Sequence, residues 1–256
     1  MTKKTSQLRK PKVIFFDIET SLIIATTFTL YPEHIPHTGI IQDWFVVSIA
    51  WKEQGNPKVH SVSINDFKRK RPDEDFGVLK TFREAIEGAD ILIAHNGDKF
   101  DIKKLNARLI YNRLAPIPKL LTIDTLKEVK KIAAFTSNRL DYLGSHLIGH
   151  GKLPTTPDLW MRVLKGDRAA VREMVKYNKV DVIRLEQLYN VLRPYMKNPP
   201  NFSVLMGHEQ ADCGCKSCGS LHVKKNGYKF TAGGVKRQEI KCLDCHHYSS
   251  YPVYKI

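Results

Sequence analysis

The first 212 residues of this 256-residue chain contain no cysteine, and its apolar runs are short. The missing cysteines argue against a secreted protein held together by disulfides. Runs such as Trp44–Trp51 and Ile91–Ala94 fall far short of a membrane span, which needs about 20 apolar residues. The basic N-terminus precedes no apolar segment, so we predict no secretory signal and expect a cytoplasmic protein without membrane contact.

Acidic residues are also few, with 26 Asp and Glu against 41 Lys and Arg. The net charge of +15 favours a polyanionic partner, because a protein that neutralises phosphates releases their counterions. Hydrophobic residues reach 42%, which argues against wholesale disorder. We therefore expect a folded protein whose partner is a nucleic acid.

Hydrophobic periodicity predicts an α/β domain over residues 12–197, with a mixed sheet and helices on its faces. A polar, basic arm precedes it at residues 1–11. The proline-rich run Asn198–Asn201 predicts a linker over residues 198–212, and residues 213–256 form a small cysteine-rich domain. The predicted strands are Lys12–Phe16, Asp43–Trp51, Lys58–Ile64, Ala89–Ala94 and Leu120–Ile123, and the helices are Phe76–Gly88, Ile102–Leu114, Thr125–Ala133 and Arg168–Leu192.

Three short acidic patches fall on these elements. Asp17 and Glu19 are two apart at a strand end and share a face. Asp101 follows another strand and opens a helix, while Tyr177 and Asp181 are four apart on one helix face. Four carboxylates that converge would repel one another, and bound Mg²⁺ or Mn²⁺ would relieve the repulsion. Such a two-metal cluster hydrolyses phosphodiester bonds, which indicates a nuclease.

These patches resemble the three exonuclease motifs of the DEDD superfamily, the proofreading 3′→5′ exonucleases. Asp17-Ile18-Glu19 resembles the first motif, and Asn96 through Phe100-Asp101 the second. Tyr177-x-x-x-Asp181 resembles the tyrosine form of the third motif, known as DEDDy. The resemblance covers roughly residues 12–195 and implies an RNase H-like fold, a mixed five-stranded sheet flanked by helices. Three further segments resemble the family's connecting stretches: Ile123–Leu126, Asn138–Leu143 and Gly149–Leu153.

The resemblance implies a role for each residue of the cluster. Asp17 would bridge both metals, and Glu19 and Asp181 would bind the metal that activates water. Asp101 would hold the second metal, partly through water. Tyr177 would orient the attacking water as a neutral phenol.

Other residues near the motifs are expected to have lesser roles. The resemblance places Asn96 and Phe100 in the pocket for the terminal nucleotide, although Phe100 equally fits a core position. His95 is expected to be a structural neighbour of the site. Asp124 and Asp141 lie outside the motifs, and we expect each to cap a helix or join a salt bridge.

The resemblance implies a metal-dependent exonuclease acting from the 3′ end of DNA, preferably single-stranded, because the tyrosine form is similar to polymerase proofreading domains. The sequence shows no polymerase domain, so proofreading would serve a replication or repair partner in trans. The alternatives are a 3′→5′ exoribonuclease that trims RNA and a non-catalytic nucleic-acid-binding protein. A binder is expected to lack a motif carboxylate, whereas all four are present. A resolvase-type endonuclease would place its acids differently.

The cysteines form two pairs, Cys215-x-x-Cys218 and Cys242-x-x-Cys245, whose spacing predicts a zinc ribbon holding one Zn²⁺. Cys213, His246 and His247 are weaker alternative ligands. Between the pairs, Leu221–Phe230 alternates around Asn226-Gly227, which predicts a hairpin turn there. Residues 213–256 carry eight Lys and Arg against two Asp and Glu, so the zinc either staples the fold or also supports a nucleic-acid contact.

Overall fold

The computed structural model of the protein describes residues 9–29, 32, 34–149, 156–207 and 214–253. Most of the predicted basic arm, Cys213 and most of the segment Gly149–Leu153 lie outside the described residues. The described chain contains ten strands and seven α-helices. The strands are β1 Val13–Thr20, β2 Ile24–Ala25, β3 Ile40–Gln42, β4 Val46–Glu53, β5 His60–Ser63, β6 Ile91–Ala94, β7 Leu121–Asp124, β8 Val223–Phe230, β9 Lys236–Cys242 and β10 Tyr248–Pro252. The helices are α1 Phe76–Ala85, α2 Asp101–Tyr111, α3 Thr125–Ile132, α4 Leu140–Leu147, α5 Pro157–Leu164, α6 Arg168–Leu192 and α7 Phe202–Leu205.

Five strands form the main sheet in the order β5-β4-β1-β6-β7. β4 is antiparallel to both β1 and β5, whereas β6 is parallel to β1 and β7 is parallel to β6. The central strand β1 therefore joins the antiparallel and parallel halves. This arrangement confirms the predicted mixed five-stranded sheet flanked by helices, and α6 has the predicted bounds.

Alternate residues of β1 enter two separate cores. Ile14, Phe16 and Ile18 pack with apolar side chains of α1 and α2, such as Phe82 and Leu105. Val13 and Phe15 instead pack with Val182, Leu185 and Tyr189 of α6. Because side chains alternate across a strand, Asp17 and Glu19 continue the row of Val13 and Phe15. Both carboxylates therefore project on the side of the sheet where this part of α6 lies.

Residues 198–212 were predicted to form a linker. The first part of this segment instead packs on the core, so the prediction is wrong there. Residues 202–205 form the short helix α7, capped by the Asn201 side chain, which accepts from Val204 N at 3.3 Å. Phe202 is buried in the same core as Phe15 and Tyr189, together with Met196. Proline signals a break in regular structure, but it carries no information about the apolar residue that follows it.

The cysteine-rich segment forms a three-stranded antiparallel sheet in the order β10-β9-β8. The predicted hairpin turn at Asn226-Gly227 is wrong, because both residues lie inside β8, where the pairing register with β9 shifts. Gly227 has φ +79°, so its left-handed backbone makes a bulge instead of a turn. The chain reverses after Phe230, where Thr231 N donates to Val235 O at 3.0 Å.

The ribbon packs against the residues that directly follow α6. Ser217 Oγ donates to Arg193 O at 3.5 Å, and His247 Nδ1 lies 3.2 Å from Pro194 O. Phe202 N also donates to Lys216 O at 2.8 Å. These contacts join the ribbon to residues 193–202, which follow the helix that carries Tyr177 and Asp181. In the described part of the chain, no helix combines the length and apolar character that crossing a membrane requires.

Candidate active site

The carboxylates of Asp17, Glu19 and Asp181 converge at one end of β1. Their closest suitable oxygens all lie within 4.8 Å of one another. Asp17 and Glu19 come from the last part of β1, just before its register with β4 shifts between Glu19 and Thr20. Asp181 comes from α6, one turn after Tyr177, so both project from the same side of that helix. Two elements distant in sequence, β1 and α6, therefore meet at this cluster.

Asp101 lies beside this trio. It is the first residue of α2 and is only 2% exposed. Its Oδ1 accepts a hydrogen bond at 3.2 Å from the backbone N–H of Ile18, which lies between the two acids of β1. The structure thus brings three of the four predicted ligands into direct proximity and places the fourth behind them.

Burial and mutual repulsion dominate the electrostatics of the cluster. Burial, followed by the charges of Asp101, Glu19 and Asp181, raises the pKa of Asp17 well above its usual range. Burial likewise raises the pKa of Asp101 to about 7, although the Ile18 N–H opposes the change. Such a set is stabilised by cations, and carboxylate oxygens are the donors that Mg²⁺ and Mn²⁺ prefer. The residues present therefore fit divalent-metal binding.

Asn178 positions Asp17 and was missed at the sequence level. Its fully buried amide Nδ2 donates to Asp17 Oδ2 at 2.6 Å and to Asp17 O at 3.0 Å. Its Oδ1 accepts from Ser48 Oγ of β4 at 3.3 Å. The available signal was spacing, since Asn178 is three residues before Asp181 and so lies near it on the helix.

The loop before α2 is held by Asp124 and His95. Asn96 has φ +67°, and its N–H donates to Asp124 Oδ1 at 2.9 Å. Asp124 also caps α3 by accepting from Leu126 N at 3.0 Å, which confirms the expected capping role. His95 Nδ1 lies 2.9 Å from Thr125 Oγ1, and burial lowers the pKa of this imidazole. Asp124 and His95 therefore hold the loop before α2 in place.

A cleft of about 650 Å³ opens next to Asp181. Its lining includes Asn96 and Asp181, together with Lys130, Arg139 and Asp141. Asn96 therefore lines this cleft, and its contact with a terminal nucleotide stays a prediction. Phe100 is not among the lining residues described for this cleft. Because it is 39% exposed, the alternative that Phe100 is a core residue is wrong.

The four cysteine sulfurs of the ribbon form a second cluster. All four Sγ atoms lie within 4.8 Å of one another. Cys215 and Cys245 are 3.5 Å apart and Cys218 and Cys242 are 3.6 Å apart. Tetrahedral zinc with Zn–S bonds of about 2.3 Å requires sulfurs about 3.8 Å apart. The cluster is therefore compatible with one Zn²⁺, and His247 instead faces the Pro194 carbonyl.

The fold and the acidic cluster together describe an α/β protein with a group of carboxylates that could hold a metal ion. Comparison with known families matches residues 33–193 to the RNase H superfamily. The matched region covers most of the chain, so the protein belongs to this superfamily, which supports a nuclease domain. The match includes Asp101, Tyr177 and Asp181 but begins after Asp17 and Glu19. No curated protein compared with the chain matches it.

Proposed function

We propose that the protein is a 3′→5′ exonuclease that hydrolyses phosphodiester bonds from the 3′ end of DNA, preferably single-stranded. The observation that carries the proposal is the convergence of Asp17, Glu19 and Asp181 with Asp101 behind them. Tyr177 lies one helical turn before Asp181, which matches the tyrosine form of the motif. Membership of the RNase H superfamily supports a nuclease at this place in the fold.

The proposed mechanism assigns a separate task to each side chain. The four carboxylates would hold two Mg²⁺ or Mn²⁺ ions, which when bound would supply an activated water and stabilise the leaving oxygen. Asp17 would be the ligand shared between them, with Glu19 and Asp181 on one ion and Asp101 on the other. Tyr177 would orient the attacking water through its hydroxyl group.

The cleft beside Asp181 offers contacts for a substrate strand. Its lining carries the cations Lys130 and Arg139 as well as the acids Asp141 and Asp181, and the two cations would meet the phosphates of a strand whose end reaches the carboxylates. Asn96 would contact the terminal nucleotide from the cleft wall. Phe100, exposed at the start of α2, would contact the same nucleotide from outside that cleft.

The proposal is tested with a 5′-labelled single-stranded DNA, a duplex and an RNA of the same sequence, each with Mg²⁺ or Mn²⁺. We expect a ladder of products shortened from the 3′ end, fastest on single-stranded DNA. Asp17→Asn should abolish the ladder, because a carboxylate shared by two metals has no substitute. Asp158→Asn is the matched control, since Asp158 is an exposed acid on α5 outside the cluster.

Three outcomes would contradict the proposal in different ways. Internal cuts would indicate an endonuclease. Cleavage confined to RNA would indicate a ribonuclease. Normal turnover by a folded Asp17→Asn variant would remove the carboxylate cluster from the mechanism.

A further inference from the structure

A second cleft, of about 470 Å³, lies between the ribbon sheet and residues 197–201. Its lining contains four cationic side chains, from Lys197, Lys216, Lys229 and Arg237. No carboxylate is among the lining residues that the structure describes. We call this feature the ribbon cleft, and its charge sets it apart from the acidic cluster on β1 and α6.

The cations of the ribbon cleft are held close together at an energetic cost. Lys229 and Arg237 are direct partners in the pairing of β8 with β9, and like charges in that relation destabilise a sheet. Lys216 is half-buried, and its Nζ donates to Ser250 O at 2.7 Å. Burial, followed by the charges of Arg237 and Lys229, lowers its pKa.

Part of this charge is already compensated inside the ribbon. Lys229 Nζ lies 3.1 Å from Glu239 Oε1, and Arg237 Nη2 donates to Ser250 O at 3.0 Å. One carboxylate does not balance four cations. The remaining excess positive charge is what a bound polyanion would neutralise.

Two aromatic side chains stand at the same cleft. Phe230 is 67% exposed and Tyr248 is 46% exposed, although both are large enough to be core residues of so small a sheet. Exposed rings beside a cationic groove are the combination by which proteins bind single strands, because bases stack on the rings while phosphates meet the cations.

We propose that the ribbon cleft binds the backbone of a single-stranded nucleic acid, with its cations on the phosphates and Phe230 and Tyr248 on the bases. The inference rests on the proposed function, in which such a strand is the substrate. The ribbon contacts Arg193, the residue directly after α6, which is twelve residues past Asp181 or about 18 Å along the helix axis. The cleft therefore holds a part of the strand remote from the bond that is cut.

The test measures binding of labelled single-stranded DNA and RNA, each about 20 nucleotides long, by the full chain without added Mg²⁺ or Mn²⁺. For the double variant Lys197→Gln/Lys229→Gln we expect Kd to rise by about tenfold in at least one arm. The slope of log Kd against log salt concentration should become shallower by about 1.4, since each single-strand phosphate contact contributes about 0.7. Arg237→Gln is the second variant.

The control is Lys58→Gln/Lys119→Gln, which removes the same charge from two exposed lysines outside the ribbon cleft. Retention of zinc by each variant shows that the ribbon is folded. If Arg237→Gln loses zinc, the lysine pair alone decides. Affinity and salt slope equal to those of the control, in both DNA and RNA, would overturn the proposal.

Hydrolysis of a nitrophenyl ester of a single nucleotide separates this inference from the proposed function, because such an ester is too short to reach from the carboxylates to the ribbon cleft. Absence of hydrolysis with cleft-dependent strand binding would overturn the nuclease alone. Hydrolysis together with unchanged strand binding would overturn the cleft alone.

Discussion

At the scale of single residues, Asn178 ties the acidic cluster to two strands of the main sheet. It is fully buried and bonds Asp17 of β1 and Ser48 of β4 from its position on α6. A buried amide with this many partners is costly to remove, because each partner then lacks a hydrogen bond. The Asn178 side chain therefore fixes the orientation of the Asp17 carboxylate and also holds α6 against the main sheet.

We predict that Asn178→Ala lowers the free energy of unfolding by about 1–3 kcal/mol, the usual penalty for unsatisfied buried polar groups. Cleavage should fall as well, because Asp17 loses the donor that orients it. Urea unfolding and the single-turnover cleavage rate check the two effects. Asn65→Ala is the control, since Asn65 donates to one exposed carbonyl, that of Arg168. Equal losses for both variants would deny Asn178 a special role.

The acidic residues of the cluster could be predicted from the sequence, whereas Asn178, which holds Asp17 by hydrogen bonds, could not. Spacing predicts that Asp17 shares a face with Glu19 and Tyr177 with Asp181, because a period of two on a strand and of four on a helix places side chains on one face. Asn178 acts through hydrogen bonds to residues more than a hundred positions away, and local spacing carries no information about such partners.

At the scale of elements, the predictions for the Asn226-Gly227 turn and for the linker were wrong because local sequence carries no information about distant contacts. The long apolar strands and α6 follow from periodicity, so the main sheet was predictable. Asn226-Gly227 is ambiguous, because a glycine with positive φ serves a bulge as well as a turn. The helix α7 has only four residues and depends on the burial of Phe202 against distant strands.

We predict that Asp124→Ala destabilises the protein by about 1–2 kcal/mol, the upper range for a lost N-cap. It should also slow cleavage, because Asp124 Oδ1 holds the N–H of Asn96 as well as that of Leu126. Asp167→Ala is the matched control, since Asp167 caps α6 by accepting from Ala169 N at 2.7 Å. The control should lose stability without losing turnover under native conditions. Equal turnover in both variants would make Asp124 a cap only.

At the scale of the whole molecule, the ribbon and the main sheet are joined by residues 193–207. Met196 and Phe202 lie in the core of the main sheet, while the Arg193 and Pro194 carbonyls meet ribbon side chains. A truncated chain that keeps the core of the main sheet should therefore end after α7 and not at the Pro199-Pro200 pair.

We predict that a chain ending at Gly207 is more stable than one ending at Lys197. The shorter chain loses Phe202, and removal of a buried phenylalanine side chain costs about 3–5 kcal/mol. Both chains keep all four acids of the cluster. We expect the chain ending at Gly207, which also keeps Phe202, to cleave the substrate. Thermal unfolding and the ladder assay compare them. Equal melting temperatures would show that Phe202 contributes nothing to the core.

We also predict one tightly held Zn²⁺ per chain, bound by Cys215, Cys218, Cys242 and Cys245. Thiolates suit zinc and carboxylates suit Mg²⁺, so added Mg²⁺ should not displace it. Elemental analysis after gel filtration measures the stoichiometry. Cys218→Ser should lose the zinc, whereas a protein that contains none at the outset would refute the assignment.

The strand β8 lies at the edge of the ribbon sheet, with nearly every residue exposed. A bare edge of this kind is a template on which another chain can add a strand and begin aggregation. Lys224, Lys225 and Lys229 place positive charge along it, and the bulge at Gly227 interrupts its regular hydrogen-bonding pattern. We therefore expect the lysines and the bulge of β8 to hinder β-sheet polymerisation in concentrated solutions of the protein.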